Sequence, residues 1–379
     1  MGNCLSSTRR VTSVIDRPPT KHDGGGDEDE TTETSTKTDS FGIVPTKLTP
    51  VPSQPHGIST VPSFFNPDAK PTIFEYQFIK HIGHGAQSDV FLVQNTENEI
   101  FYAAKVYDRT YLFRTSIGDA EQPIHKLIRE AQIMSTIQHP NCLNLVELLE
   151  DEYTNSIILI LPFADDGALS SYSYKADPLP ENDAKFYFFQ IALGLQYVHS
   201  QNIIHRDLKP DNILKFKDGH VVIADFSVSI MLGNESDLLD DTDGTPAFYS
   251  PEECRGDPYL GKPTDVWAFG MMLYVMMFGK LPFFDADDEG VFFSQFFKIS
   301  QRIVSDEFAY PESIPISAEL RDFFSHVLDK DATTRYTIDQ VVEHPWFAGC
   351  MEAYYAKFAV GGEEEEEIEE GQIRMPNDD

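Results

Sequence analysis

The stretch His205-Arg206-Asp207-Leu208-Lys209-Pro210-Asp211-Asn212 packs three kinds of chemistry into one octet. Asp207 is a carboxylate that can take a proton. Lys209 is a fixed positive charge two residues on, and Asn212 is a neutral oxygen ligand for a hard cation. Metal-assisted phosphoryl transfer needs all three beside one reacting phosphate: a base that orients the attacking hydroxyl, a cation against developing charge, and an oxygen for Mg²⁺. Each residue alone would suit an ordinary polar loop. The whole octet is not explained that way.

Working outward, Phe74, Tyr76 and Phe78 alternate with Glu75 and Gln77, as in a half-buried strand. Ile82-Gly83-His84-Gly85-Ala86-Gln87-Ser88-Asp89-Val90 follows, and its two glycines in a strand–turn–strand allow backbone N–H groups to close over phosphates. Residues 100–106 read as a strand carrying Ala103 and Lys105. Leu127, Ile128, Ala131, Met134 and Ile137 form a helical stripe, with Glu130 on the same helix. The segment between them, residues 107–122, is long enough for a small insert. Residues 157–161 are a continuous apolar run, the pattern of a buried strand. Between 181 and 200, Ala184, Tyr187, Phe188, Ile191, Leu195 and Val198 recur at helical spacing and are core positions. Lys217-Asp218-Gly219 marks a hairpin turn before Val221-Val222-Ile223-Ala224 and Asp225-Phe226-Ser227. Residues 265–270 open an apolar helix, expected to be buried on all sides.

In this order the pieces resemble a eukaryotic Ser/Thr protein kinase over residues 74–347. The octet matches the catalytic-loop pattern, Asp225-Phe226-Ser227 matches the metal-binding triplet with Ser for Gly, and Gly244-Thr245-Pro246 through Ser250-Pro251-Glu252 matches the end of the activation loop. The resemblance implies an α+β, bilobal protein kinase fold: a small β-rich N-lobe (74–164), a larger, mainly helical C-lobe (165–347), and ATP between them. Asp207, Lys209 and Asn212 are then catalytic, and Asn212 and Asp225 hold Mg²⁺. Lys105, paired with Glu130, contacts the ATP phosphates. Ile82, Gly83, Gly85, Val90, Ala103, Leu161, Pro162, Ala164 and Leu214 complete the nucleotide pocket. Leu161 is the gatekeeper, Pro162 and Ala164 belong to the hinge, and Leu214 lies under adenine. Pro162 lacks an N–H, but only its carbonyl is required there. Asp265 is expected to bond the catalytic-loop backbone, and Arg335 to pair with Glu252.

Ser88 stands where the family's third loop glycine usually sits, and Ser227 replaces another glycine. Glycine admits backbone angles that serine adopts only at a cost. A nucleotide-binding scaffold without turnover therefore stays open as a second reading, against the intact Lys105, Asp207, Asn212 and Asp225. A membrane-tethered interaction protein acting through its acidic tails is a third. The regulatory candidates are Asp241, Thr242 and Thr245. Asp241 occupies the place of a phosphorylatable Thr in many kinases, so a built-in carboxylate could hold the loop against Arg206 without phosphate; a solvated acidic loop explains the same residues.

Within the kinases, residues 223–229, Leu238-Leu239, Gly244-Thr245-Pro246-Ala247-Phe248 and Asp265-Val266-Trp267-Ala268 resemble calcium/calmodulin-dependent protein kinase kinases. That resemblance implies a protein substrate that is itself a kinase, phosphorylated on an activation-loop threonine. No basic amphipathic segment follows the domain, so control by calmodulin is not expected.

The chain has 379 residues, 41% of them hydrophobic, enough for a large core. Its net charge is −33, which argues against nucleic acid as a partner. Most of that charge lies on the body rather than on the ends. Cys4, Cys142, Cys254 and Cys350 show no disulfide or zinc spacing, consistent with a reducing, cytoplasmic setting. Met1-Gly2-Asn3-Cys4-Leu5-Ser6 fits the N-myristoylation pattern on Gly2. One acyl chain holds a membrane only marginally, and Cys4 offers a second attachment point. Residues 1–73 read as a disordered tether rich in Thr, Ser, Pro and Gly, and residues 348–379 as an acidic disordered tail.

Overall fold

The computed structural model describes residues 8–10, 65, 70–85, 87–114, 121–170, 176–233, 238–284 and 292–358. Strands β1 (Thr8–Arg10), β2 (Thr72–Ile73), β3 (Tyr76–His84), β4 (Ser88–Asn95) and β5 (Phe101–Asp108) precede helices α1 (Arg109–Leu112) and α2 (Pro123–Thr136). With β6 (Glu147–Asp151) and β7 (Ser156–Pro162) the strands form one antiparallel sheet, in the order β1-β6-β7-β5-β4-β3-β2.

The sheet has apolar residues on both faces, and β7 shows why its sequence does not alternate. Ile158 and Ile160 join Phe78, Phe91, Val93 and Val106 in an outer cluster. Ile157, Leu159 and Leu161 point the other way, into the main core that also takes Leu127 and Met134 of α2. A strand covered on both faces reads as a continuous apolar run. Helix α2 begins at Pro123, where the missing N–H costs nothing.

The second lobe follows. Helix α3 (Glu181–Ser200) matches the predicted span and buries Ala184, Phe188, Ile191, Leu195 and Val198. Short strands β8 (Ile203–Ile204), β9 (Ile213–Lys215), β10 (Val221–Ile223), β11 (Ile230–Met231) and β12 (Leu238–Leu239) frame the loops after it. Helix α4 (Pro251–Arg255), β13 (Tyr259–Leu260), α5 (Gly261–Phe278), α6 (Phe292–Ser305), α7 (Ala318–Val327), α8 (Ile338–Val342) and α9 (Cys350–Phe358) complete the described elements. Helix α5 is buried around its whole circumference from Thr264 to Phe278, as its unbroken apolar sequence requires. The architecture is the α+β bilobal one: a β-rich small lobe and a helical large lobe.

Two expected bonds fix the large lobe around the catalytic loop. The Asp265 carboxylate accepts the N–H groups of His205 and Arg206, at 2.8 and 2.9 Å. His199 Nε2 lies 2.9 Å from the same carboxylate. Arg335 donates to Glu252 through two nitrogens, at 2.6 and 3.0 Å.

Three boundaries differ from the sequence reading. Phe74 is not in the strand: β2 and β3 pair at Ile73 and Tyr76, so Phe74 and Glu75 form the hairpin turn, with Phe74 at φ 52°. Within residues 1–73, β1 and β2 are strands; β1 pairs with the outer edge of β6. Ordered structure also continues past Phe347 into α9, because Cys350 and Tyr354 are buried and Tyr354 donates to Asn141 Oδ1 at 3.1 Å. Phe65, also within the first end, packs its ring 4.7 Å from that of Phe91. Apart from Lys70 and Pro71, the rest of both proposed disordered ends, with Gly2 and Cys4, lies outside the described residues.

Candidate active site

Lys105 sits centrally in β5, and two carboxylates close on it from different directions. Its Nζ is 2.7 Å from Glu130 Oε1 on α2 and 3.1 Å from Asp225 Oδ1 after β10. The second Glu130 oxygen accepts from the Tyr107 hydroxyl at 3.0 Å, so both oxygens are held. Burial works against a charged Lys105, but the two carboxylates outweigh it and raise its pKa well above the usual lysine range. Burial likewise opposes the Asp225 anion, yet Lys105 overcomes it and the Asp225 pKa falls to about 2. Lys105 and Asp225 are therefore both charged at neutral pH.

The octet forms the opposite wall. Asp207 Oδ2 accepts from Lys209 Nζ at 2.6 Å and from the Asn212 amide at 3.0 Å. Asp207 Oδ1 accepts from the Thr245 hydroxyl at 2.6 Å, and Lys209 also reaches that hydroxyl at 2.8 Å. Thr245 thus belongs to the hydrogen-bonded cluster around Asp207. The close approach requires Gly244: at φ 101°, a Cβ there would run into the Arg206 carbonyl.

The two walls are tied together. The Ala224 N–H donates to the Asn212 carbonyl at 2.8 Å, which sets Asn212 beside the Asp225 segment. His205 Nε2 lies 3.1 Å from the Ala224 carbonyl, and its ring packs edge-on to Phe226. Arg206 and Asp225 both adopt left-handed backbone angles, φ 69° and 62°. Each such non-glycine residue costs on the order of 1–3 kcal/mol; one directly precedes Asp207 in the chain and the other meets Lys105.

A divalent cation fits this donor set. Asp225 offers a carboxylate, and the Asn212 amide nitrogen is engaged with Asp207, which leaves its carbonyl oxygen as the end for a cation. An all-oxygen set suits a hard ion.

The residues predicted for the nucleotide lie along the sheet and hinge. Gly83 pairs with Val90, and Ala103 with Leu161, while Tyr102 pairs with Pro162. The Ala164 carbonyl accepts from Gly167 at 3.3 Å, and Ala168 bridges to Leu214. Ile82 is partly exposed at the rim and Leu161 is buried. Gly85 donates to the Ser88 carbonyl at 2.7 Å.

The departure at Ser227 carries no backbone strain here. The left-handed residue of the triplet is Asp225, and the Ser227 side chain hydrogen-bonds to it and favours its anion. Asp241 is brought to Arg206, at 2.9 Å, as the sequence suggested. Thr242 bonds to the Tyr249 side chain. Sequence reasoning missed Tyr107 and Tyr259: each reads as a core aromatic on a strand, and only the fold shows its hydroxyl meeting Glu130 or the Asp241 carbonyl. It also missed Thr245 as a direct partner of Asp207.

Comparison with known proteins agrees with this geometry. The protein kinase domain family model matches residues 76–347. The serine/threonine-protein kinase GRIK1 of Arabidopsis thaliana is 34% identical over 282 residues, covering 74% of this chain and 69% of that protein. Its companion GRIK2 is 34% identical over 280 residues, covering 73% of this chain and 66% of that protein. A calcium/calmodulin-dependent protein kinase kinase of Caenorhabditis elegans is 31% identical over 291 residues, covering 72% of this chain and 52% of that protein.

Proposed function

This chain belongs to the protein kinase domain family and is a serine/threonine protein kinase that uses ATP and a divalent metal, and from that premise we propose that it phosphorylates other kinases. The proposed acceptor is an activation-loop threonine, and the proposed metal is Mg²⁺. The observation that carries the catalytic part is the convergence of Lys105, Glu130 and Asp225 opposite Asp207, Lys209 and Asn212.

Bound Mg²⁺–ATP supplies an electrophilic phosphorus. Asp207 would take the hydrogen bond of the incoming hydroxyl, in place of Thr245 on Oδ1, and aim its oxygen in line; as the new O–P bond forms, the bond to the ADP oxygen breaks and the hydroxyl proton passes to Asp207. Lys209 places positive charge beside the transferred group. Asn212 and Asp225 would hold the cation, which would neutralise charge on the phosphates. Lys105, fixed by Glu130, meets the phosphates that stay behind. Charge and position account for the chemistry, with no covalent enzyme intermediate.

The kinase-directed role is supported by the likeness to the nematode calcium/calmodulin-dependent protein kinase kinase and by the resemblance of residues 223–229, 244–248 and 265–268 to that family. Attachment to a membrane rests on Gly2 and Cys4. Among the described residues, no helix is long and apolar enough to cross one. The test is phosphosite mapping on a panel of inactive kinases incubated with the full chain and ATP. The proposal expects one activation-loop threonine to be labelled, and labelling only outside that loop contradicts it. Gly2→Ala should move the protein off membranes; an unchanged distribution removes the tether.

A further inference from the structure

We propose that His81, His84 and Asp89 form a site for a dication of the zinc class, at the base of the glycine-rich turn. The three residues come from neighbouring strands: the two histidines from β3, the aspartate from β4. In a regular strand, residues three apart face opposite sides. Here the β3–β4 register shifts between His81 and Gly83, and the bulge turns both imidazoles to one side. Their ring centroids are 4.1 Å apart. Asp89 pairs directly with His84 across the ladder.

All three ligand atoms converge. Asp89 Oδ1 lies 3.0 Å from His81 Nε2 and 2.5 Å from His84 Nδ1, and the set falls within 4.8 Å. Tetrahedral zinc bonds of about 2.0–2.1 Å set ligand atoms about 3.3 Å apart, so small side-chain movements complete the site. Two imidazoles and one carboxylate select zinc, copper or nickel over magnesium or calcium. With both imidazoles neutral, the single carboxylate leaves a dication only partly neutralised, as in many such centres. The His81 ring is held by an edge-on contact with buried Phe91, so half the site is preorganised. The His84 side chain is 54% exposed, which leaves room for a water as fourth ligand.

A second cluster, Asp322, His326 and His344, is less suited. His344 Nδ1 accepts the Trp346 N–H, and His326 Nδ1 donates to the Asp322 carbonyl. Each Nδ1 is taken by the backbone, which leaves only Nε2 of either ring for an ion, and the third group, Asp322, is 63% exposed and so little preorganised.

An ion at the first site would pin β3 to β4 beside the turn that faces phosphate. The test uses full-length protein with cobalt(II), whose visible absorption reports tetrahedral binding, and zinc as competitor. Wild type should show a cobalt band displaced by zinc, and zinc should raise its melting temperature. Loss of a ligand costs at least about tenfold in affinity. His84→Gln should therefore weaken cobalt binding by that factor and His81→Ala abolish it, while His326→Ala leaves it unchanged. His84→Gln alters a half-exposed side chain and should fold normally. Absence of a cobalt band in wild type overturns the proposal. So does equal affinity in His84→Gln. Binding is read without ATP, so this result is independent of kinase activity.

Discussion

Arg206 donates twice to Asp241, at 2.9 Å to the carboxylate and 3.2 Å to the backbone carbonyl. The Tyr259 hydroxyl meets the same carbonyl at 2.6 Å. The Arg206 side chain is 5% exposed and that of Asp241 61%. Burial disfavours the guanidinium charge, but Asp241 outweighs it and raises the Arg206 pKa. The pair thus joins a buried cation of the catalytic loop to a surface anion of the activation segment. Asp243 adds weaker contacts, 3.9 Å from Arg206 and 3.9 Å from Lys126 on α2.

An exposed ion pair contributes about 0–1 kcal/mol, but removing this anion leaves a buried guanidinium poorly compensated, which costs more. Asp241→Ala should lower kcat/KM for a protein substrate by about tenfold, equivalent to about 1.4 kcal/mol. Asp241→Asn should fall between, since its side chain and backbone carbonyls can still accept. High ionic strength should narrow the gap, because one partner is solvent-exposed. Unchanged steady-state kinetics in Asp241→Ala would remove the built-in anion from the account.

Ser88 and Gly85 are predicted to be energetically coupled. A Cβ on Gly85 would lie 2.7 Å from Ser88 Oγ. Ser88 is buried, and turning its hydroxyl off its rotamer costs about 1 kcal/mol. Gly85→Ala alone should raise KM for ATP by about fivefold, the same energy expressed as a ratio. Adding Ser88→Gly should recover most of that loss. Additive effects across the double-mutant cycle would show that the two residues do not compete for space.

Glu253 gives a pH signature. Burial pushes its pKa up to about 7 from 4.5, although Ser250 donates to it through its N–H at 2.8 Å and its hydroxyl at 2.9 Å. The folded state therefore holds this proton more tightly than the unfolded state. Stability from this group is present below pH 4.5 and is lost as pH rises to about 7. Glu253→Gln cannot ionise, yet it can still close the capping box at the start of α4. Thermal melts should show the variant level with wild type near pH 4, and above it by roughly 5–10 °C at pH 8. An equal gain at both values would contradict the assignment.

That the octet, Lys105, Glu130 and Asp225 come together was legible because each proposed chemical role restricts the residue type and the order along the chain. Helix α3 was legible to its ends because its apolar spacing runs unbroken between Glu181 and Ser200. Phe74 was misplaced because a two-residue hairpin continues the alternation that marks a strand. Helix α9 was hidden by the acidic residues after it, although Cys350, Tyr354 and Phe358 recur at helical spacing. The effect of Ser227 depended on which residue takes the left-handed angle, and composition does not encode that. Tyr107, Tyr259 and Thr245 act through single hydroxyls whose partners lie 18 to 38 residues away, so no local pattern marks them.

The most direct measurement is transfer of radiolabelled phosphate from ATP to an inactive kinase substrate by wild type and by Asp207→Asn. The asparagine is nearly isosteric and removes only the anion that orients the hydroxyl. Wild type should label the substrate, and the variant should lose at least about 10²-fold in kcat while melting at the same temperature. A variant as active as wild type, or a folded wild type that transfers no phosphate to any polypeptide, would contradict the assignment of this cleft.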